Sequence, residues 1–68
     1  MIEANEEMVS GYRDGRNLEN PEPNDNRSHS YRHGFAVGRS DRAGQPALGG
    51  YATAMRLADE AMAKDLVA

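Results

Sequence analysis

The chain contains no cysteine, which excludes disulfide staples and thiolate metal sites. No apolar run approaches the roughly 20 residues that cross a bilayer. The first residues, Met1-Ile2-Glu3-Ala4-Asn5-Glu6-Glu7, are acidic and lack the cationic and apolar regions of a secretion signal. No segment alternates apolar and polar residues over a useful length, so no sheet is expected. Lysine is nearly absent: Lys64 stands alone beside seven arginines among the eight basic residues. With 68 residues the chain is one domain at most, covering 1–68, and a domain of that size buries only about 60% of its unfolded surface. These absences point to a small cytoplasmic helical protein.

The charge that is present is unevenly distributed. Residues 1–26 carry seven acids against Arg13 and Arg16, a net of −5. Residues 27–42 carry Arg27, Arg32, Arg39 and Arg42 against Asp41, a net of +3. The remainder is mixed, with Arg56 and Lys64 against Asp59, Glu60 and Asp65. The chain thus reads as an acidic arm, a basic centre and a mixed tail.

A second pattern is a repeated glycine pair. Gly11-Tyr12-Arg13-Asp14-Gly15-Arg16 and Gly34-Phe35-Ala36-Val37-Gly38-Arg39 share the order glycine, aromatic, two residues, glycine, arginine. Gly50-Tyr51-Ala52-Thr53-Ala54 is a degenerate third copy. Residues four apart share a helix face, and glycine there lets another backbone approach. The neighbouring aromatic fills space beside the crossing. Each interior glycine costs about 1 kcal/mol relative to alanine, so close packing is the reason to keep two in a short helix.

The predicted elements are helices over 3–16, 28–41 and 46–67. In the first, Met8, Tyr12 and Gly15 share a face, and Leu18 is expected to tuck back after the end. Pro21 and Pro23 disfavour helix in the connector. Asn26 or Ser28 is placed to cap the second helix, where Tyr31, Gly34, Phe35 and Gly38 follow amphipathic spacing. Pro46 suits a first helical position, but the Gly49-Gly50 pair is able to break or delay the start, which leaves 51–66 as the firm part of the helix. Leu48, Tyr51, Met55, Ala58, Met62 and Leu66, widened by Ala54 and Ala61, form the stripe of the third helix, which is rich enough in apolar residues to make a homodimer plausible. The fold class is all-α: a small bundle of about three short helices packed through Gly-aromatic-x-x-Gly faces.

Chemistry-bearing motifs are sparse. His29 and His33 lie four apart with Asp25 before them, a spacing compatible with a metal, but no second ligand cluster exists. Solvent-facing or capping histidines are expected instead. Ser28, Ser30 and Ser40 lack the base, orienting acid and oxyanion hole of nucleophilic catalysis. The glycine pairs lack the strand and lysine of a phosphate loop. The expectation is no enzyme, no metal and no cofactor. Arg27, Arg32, Arg39 and Arg42 are the candidate contacts for nucleic acid or a partner, because guanidinium forks suit phosphate. Tyr31 and Phe35 are candidates for base stacking, or else core, with the arginines paired to the acidic helix.

Gly11-Tyr12-Arg13-Asp14-Gly15, the Pro21–Pro23 connector, Asn26-Arg27-Ser28 and Tyr31-Arg32-His33-Gly34-Phe35 together resemble the ribosome modulation factor family and its small bacterial and phage-borne relatives. The resemblance covers about residues 10–40. It implies a compact helical protein that binds the small ribosomal subunit, with ribosome or RNA as partner. A different class fits the acidic arm: a mobile-element or phage inhibitor, anti-CRISPR-like, blocking a nucleic-acid-binding complex through protein contacts. Its candidate contacts are Glu3, Glu6, Glu7, Asp14, Glu19, Glu22 and Asp25.

Overall fold

The computed structural model describes residues 5–44 and 50–67. Three helices follow one another: α1 (Glu6–Arg16), α2 (His29–Arg42) and α3 (Tyr51–Val67), with no strand among the described residues. The all-α bundle expected from the periodicity is therefore present. The helix starts differ from the predicted ones, and each difference has a local cause. Asn5 is extended and its Oδ1 accepts from the Met8 N–H at 2.8 Å, so it caps α1 and the helix begins at Glu6 rather than at residue 3. Ser28 does the same for α2, accepting from the Tyr31 N–H at 3.0 Å, and stays outside the helix. Gly50 has φ +117°, a left-handed angle no helix residue adopts, so α3 begins at Tyr51, the start of the firm part expected after the glycine pair and not at residue 46. Pro46 and Leu48 lie outside the described residues.

Helices α1 and α2 pack in parallel through their glycines. A Cβ at Gly11 would lie 2.1 Å from the Tyr31 carbonyl oxygen, and one at Gly34 would lie 2.1 Å from that of Met8. Gly15 and Gly38 face the Phe35 and Tyr12 carbonyl oxygens in the same way, each at 2.2 Å. The four contacts are reciprocal. Residues of the first segment map onto those 23 positions later: Asn5 onto Ser28, Met8 onto Tyr31, Gly11 onto Gly34, Tyr12 onto Phe35, Gly15 onto Gly38. Two copies of one capped helix therefore face each other across an approximate local two-fold axis. Even the flanking arginines correspond, Arg16 over the Tyr12 ring at 5.8 Å and Arg39 over the Phe35 ring at 4.8 Å. The parallel sense follows from the end contacts. Asn5 Nδ2 donates to Ser30 Oγ at 3.0 Å at one end, and Tyr12 and Arg16 both bind Asp41 at the other.

The third copy does not share this role. A Cβ at Gly50 would meet nothing, so it serves the chain's turn into α3 and not a helix crossing. α3 runs antiparallel to α2 and packs on it through small residues. Ala58 and Ala61 are buried with Met8, and Met62 packs against them. The predicted stripe holds at Ala58, Ala61 and Met62 but fails at its end: Leu66, expected inside, is 87% exposed. Leu18, expected to tuck back, is 58% exposed, because Asn17 ends α1 extended and points the chain away.

Ser30 is the most buried polar residue described, with no exposed surface. It ties all three helices, since its hydroxyl accepts from Asn5 and its N–H donates to Asp65 Oδ2 at 3.0 Å. Asn5→Ala removes the α1 cap and the partner of a buried hydroxyl. A loss of about 1–2 kcal/mol is expected, read as a lowered urea midpoint with helicity at zero denaturant retained.

Candidate functional site

Each of the four arginines picked out from the sequence has a distinct position. Arg27 precedes α2 and lies over the Tyr31 ring at 3.6 Å, with Glu7 at 4.0 Å. Arg32 sits in the first turn of α2, reaching Asp25 at 3.5 Å and donating to His29 Nδ1 at 3.0 Å. Arg39, about two turns further, donates to the Asn20 carbonyl at 2.6 Å and covers Phe35. Arg42 is exposed in the last turn of α2. The aromatic residues between them are core: Tyr31 is 5% and Phe35 3% exposed, so neither ring is available to stack on a base. The Tyr31 hydroxyl donates to Asp14, which together with burial pushes its pKa up and keeps it protonated.

Arg32 and Arg39 are seven residues apart and so lie on one face of α2. The proline-containing connector passes in front of that face. Between them is a groove of about 360 Å³. Arg32, Ala36, Arg39 and Ser40 form one side and Phe35 the floor, while Glu22 and Pro23 of the connector form the opposite wall. The connector owes its course to the two prolines and to local turns. Asn17 Oδ1 accepts from the Glu19 N–H, and Asn20 Nδ2 donates back to the Asp14 carbonyl at 3.0 Å. Both arginines keep a covered Nε–H with no acceptor among the described residues. An unmet buried donor costs about 1–3 kcal/mol, a cost that a ligand drawing the guanidinium into a better arrangement would relieve. Each fork retains further N–H groups beyond its internal bonds, since arginine carries five. The internal bonds hold the forks in place, which lowers the entropy cost of binding.

The histidines are not solvent-facing as expected. His29 is half-buried at the start of α2, and an arginine can only donate to it. His33 is half-buried against α3, and its pKa is pushed down by burial, offset in part by a hydrogen bond with the Ala54 backbone. A smaller cleft of about 210 Å³ between α2 and α3 is lined by both histidines, Arg32, Glu60 and Lys64. Among the described residues no three histidine or carboxylate groups converge as metal donors.

The acidic candidates also separate. Glu6 and Glu7 are exposed in the first turn of α1, and Glu19, Glu22 and Asp25 are exposed in the connector. Asp14 is engaged by Tyr31, and Glu3 lies outside the described residues. Reasoning from sequence missed Asp65, whose Oδ1 accepts from the His29 N–H at 2.8 Å and which closes the N-terminus of α2. No described helix is long and apolar enough to cross a membrane. Comparison with known proteins finds no matching family model, no matching curated protein and no matching solved structure.

Proposed function

We propose that this chain is a small non-enzymatic protein that binds unpaired RNA of a nucleoprotein machine, the ribosome first among them, through the Arg32–Arg39 face of α2. The observation that carries the reading is the groove itself. Two guanidiniums fixed on one helix face, with donors to spare, are suited to consecutive phosphates of a flexible strand. A duplex is less suited, because the connector narrows the approach. The partly covered forks and the acidic wall also favour a partner that enters one strand at a time.

The test is fluorescence anisotropy with short unpaired RNA of mixed sequence and with purified small ribosomal subunits, over a salt series. Affinity is expected to fall with salt, with a log–log slope of about −0.7 for each phosphate neutralised. Arg32→Gln and Arg39→Gln each weaken binding several-fold and flatten the slope by about 0.7. Arg39→Lys retains charge and separates loss of contact from loss of the Asn20 tie. Absent or salt-independent binding overturns the reading.

One observation favours a second reading. Carboxylates already face Arg16, Arg27 and Arg32, while Glu6, Glu19 and Glu22 are exposed without a bound cation among the described residues. An acidic inhibitor would present that surface to an arginine-rich groove of a nucleic-acid-binding complex, CRISPR effectors included. Charge reversal at Glu3, Glu6 and Glu7 would then abolish capture of the complex, whereas nuclease treatment would not.

A further inference from the structure

The wall opposite the arginines carries a carboxylate. Glu22 lines the same groove as Arg32 and Arg39 yet makes no ion pair with either among the described residues. A pocket for phosphate alone gains nothing from such a wall, since a carboxylate repels the anion it is meant to hold. The lining instead divides by chemistry. One side offers cationic donors and the Ser40 hydroxyl, the floor is the covered edge of Phe35 with Ala36, and the far side offers an acceptor beside Pro23. A ligand matching all three carries a negative group at one end, a flat apolar body and an N–H edge at the other. One unpaired nucleotide has that form. At about 360 Å³ the groove lies near the lower end of small-molecule pockets, which begin at about 300 Å³.

The acceptor wall then discriminates among bases. A carboxylate has two oxygens side by side and, when ionised, only accepts. Guanine presents two adjacent donors, N1–H and the N2 amino group, on its Watson–Crick edge. Adenine and cytosine set a ring acceptor next to their amino group, and uracil flanks its single N–H with two carbonyls, so each turns a lone pair toward the carboxylate. We infer that the groove between the connector and α2 takes a guanine nucleotide. Glu22 receives the base edge, and Arg32 and Arg39 hold the phosphate. This inference rests on the RNA reading above and names the base that the site prefers.

The inference is tested on the full chain with short unpaired RNAs that differ at one central base. A guanine-containing strand is expected to bind about tenfold more tightly than the adenine strand, the low end for a two-point base contact. Inosine, which lacks the N2 amino group, falls between them. Glu22→Gln turns one acceptor into a donor, so guanine preference drops below about twofold while affinity for the adenine strand does not fall. Glu22 is exposed in the connector, and circular dichroism is expected to confirm that its replacement leaves the helices intact. Free guanosine 5′-monophosphate displaces the strand at lower concentration than adenosine 5′-monophosphate. Salt-dependent RNA binding with equal affinity for all bases overturns the guanine site and leaves the RNA reading standing. No RNA binding at all overturns both.

Discussion

Replacing Gly34 by alanine is expected to unfold the chain at room temperature rather than merely weaken it. Two effects of opposite sign compete. Alanine favours the helix by about 1 kcal/mol over glycine. Against that, the new Cβ would sit 2.1 Å from the Met8 carbonyl oxygen, 2.9 Å from its carbon and 3.0 Å from the Tyr12 nitrogen. All three are backbone atoms of α1, so no side chain can rotate away. The helices must separate by about an ångström, which also empties the contacts at Gly11, Gly15 and Gly38. Overpacking of a core costs about 1–3 kcal/mol, and more where the backbone must shift. A core of this size supplies only about 3–5 kcal/mol in total. Circular dichroism and urea titration decide the matter. Gly11→Ala should fail equally, because the local two-fold makes the two sites equivalent. An alanine variant with an unchanged midpoint would show that the crossing is looser than described.

The second large effect concerns Asp65 and acid. Its carboxylate accepts the first two free N–H groups of α2 from the far end of α3, so one side chain both caps a helix and docks another. Asp65→Ala is expected to cost about 1–2 kcal/mol as a lost cap. Beyond that cost it releases α3, visible as faster amide exchange along α3 with α1 and α2 still protected. The same tie responds to pH. A hydrogen bond from the Ser30 side chain, followed by the backbone N–H groups of Ser30 and His29, holds the Asp65 carboxyl below its ordinary range. The unfolded chain therefore binds more protons in that interval. The stabilisation is fully present above the unfolded value of about 3.9 and is lost as pH falls through the folded one. His33 has the same sign by a different route. Burial pushes its pKa down, so its contribution is complete above about 6.5 and is lost as pH falls below that. Docking of α3 should thus loosen in two steps on acidification. Asp65→Asn removes the lower step only. A docking equilibrium flat from neutral pH to pH 3 would contradict this account.

What could be read from the sequence depended on distance along the chain. Gly11, Gly15, Gly34 and Gly38 were legible because spacing by four is a property of one helix, and a costly residue repeated there needs a reason. The Ser28 cap was legible because its partner, the Tyr31 N–H, is three residues away. The Asp65 cap was not, because its partners lie 35 and 36 residues earlier and no local pattern links them. The parallel sense of α1 and α2 was hidden too: a glycine face fits another in either direction, and the end contacts Asn5–Ser30, Tyr12–Asp41 and Arg16–Asp41 decide it. The third glycine-aromatic copy misled because its second glycine position is Ala54, and without the pair there is no groove to fill. For the site, the arginines were legible by charge, but the groove was not. It exists because the connector returns over α2, a course set by Asn17, Asn20 and the prolines acting together.

Parallel packing has an electrostatic consequence. Two helix dipoles lie side by side with like ends together, each end worth about half a charge. At the roughly 8 Å separation of packed helices, this repulsion amounts to a few tenths of a kcal/mol at each end. The chain answers it at both poles. Glu6, Glu7 and Asp65 gather where the two positive ends meet, and Arg13, Arg16, Arg39 and Arg42 occupy the last turns where the two negative ends meet. Glu6 and Glu7 of the acidic arm, and Arg39 and Arg42 of the basic centre, are therefore the counter-charge that two aligned dipoles demand. Arg27, just before α2, and Arg32, in its first turn, stand instead at the positive pole, where the aligned dipoles call for no cation.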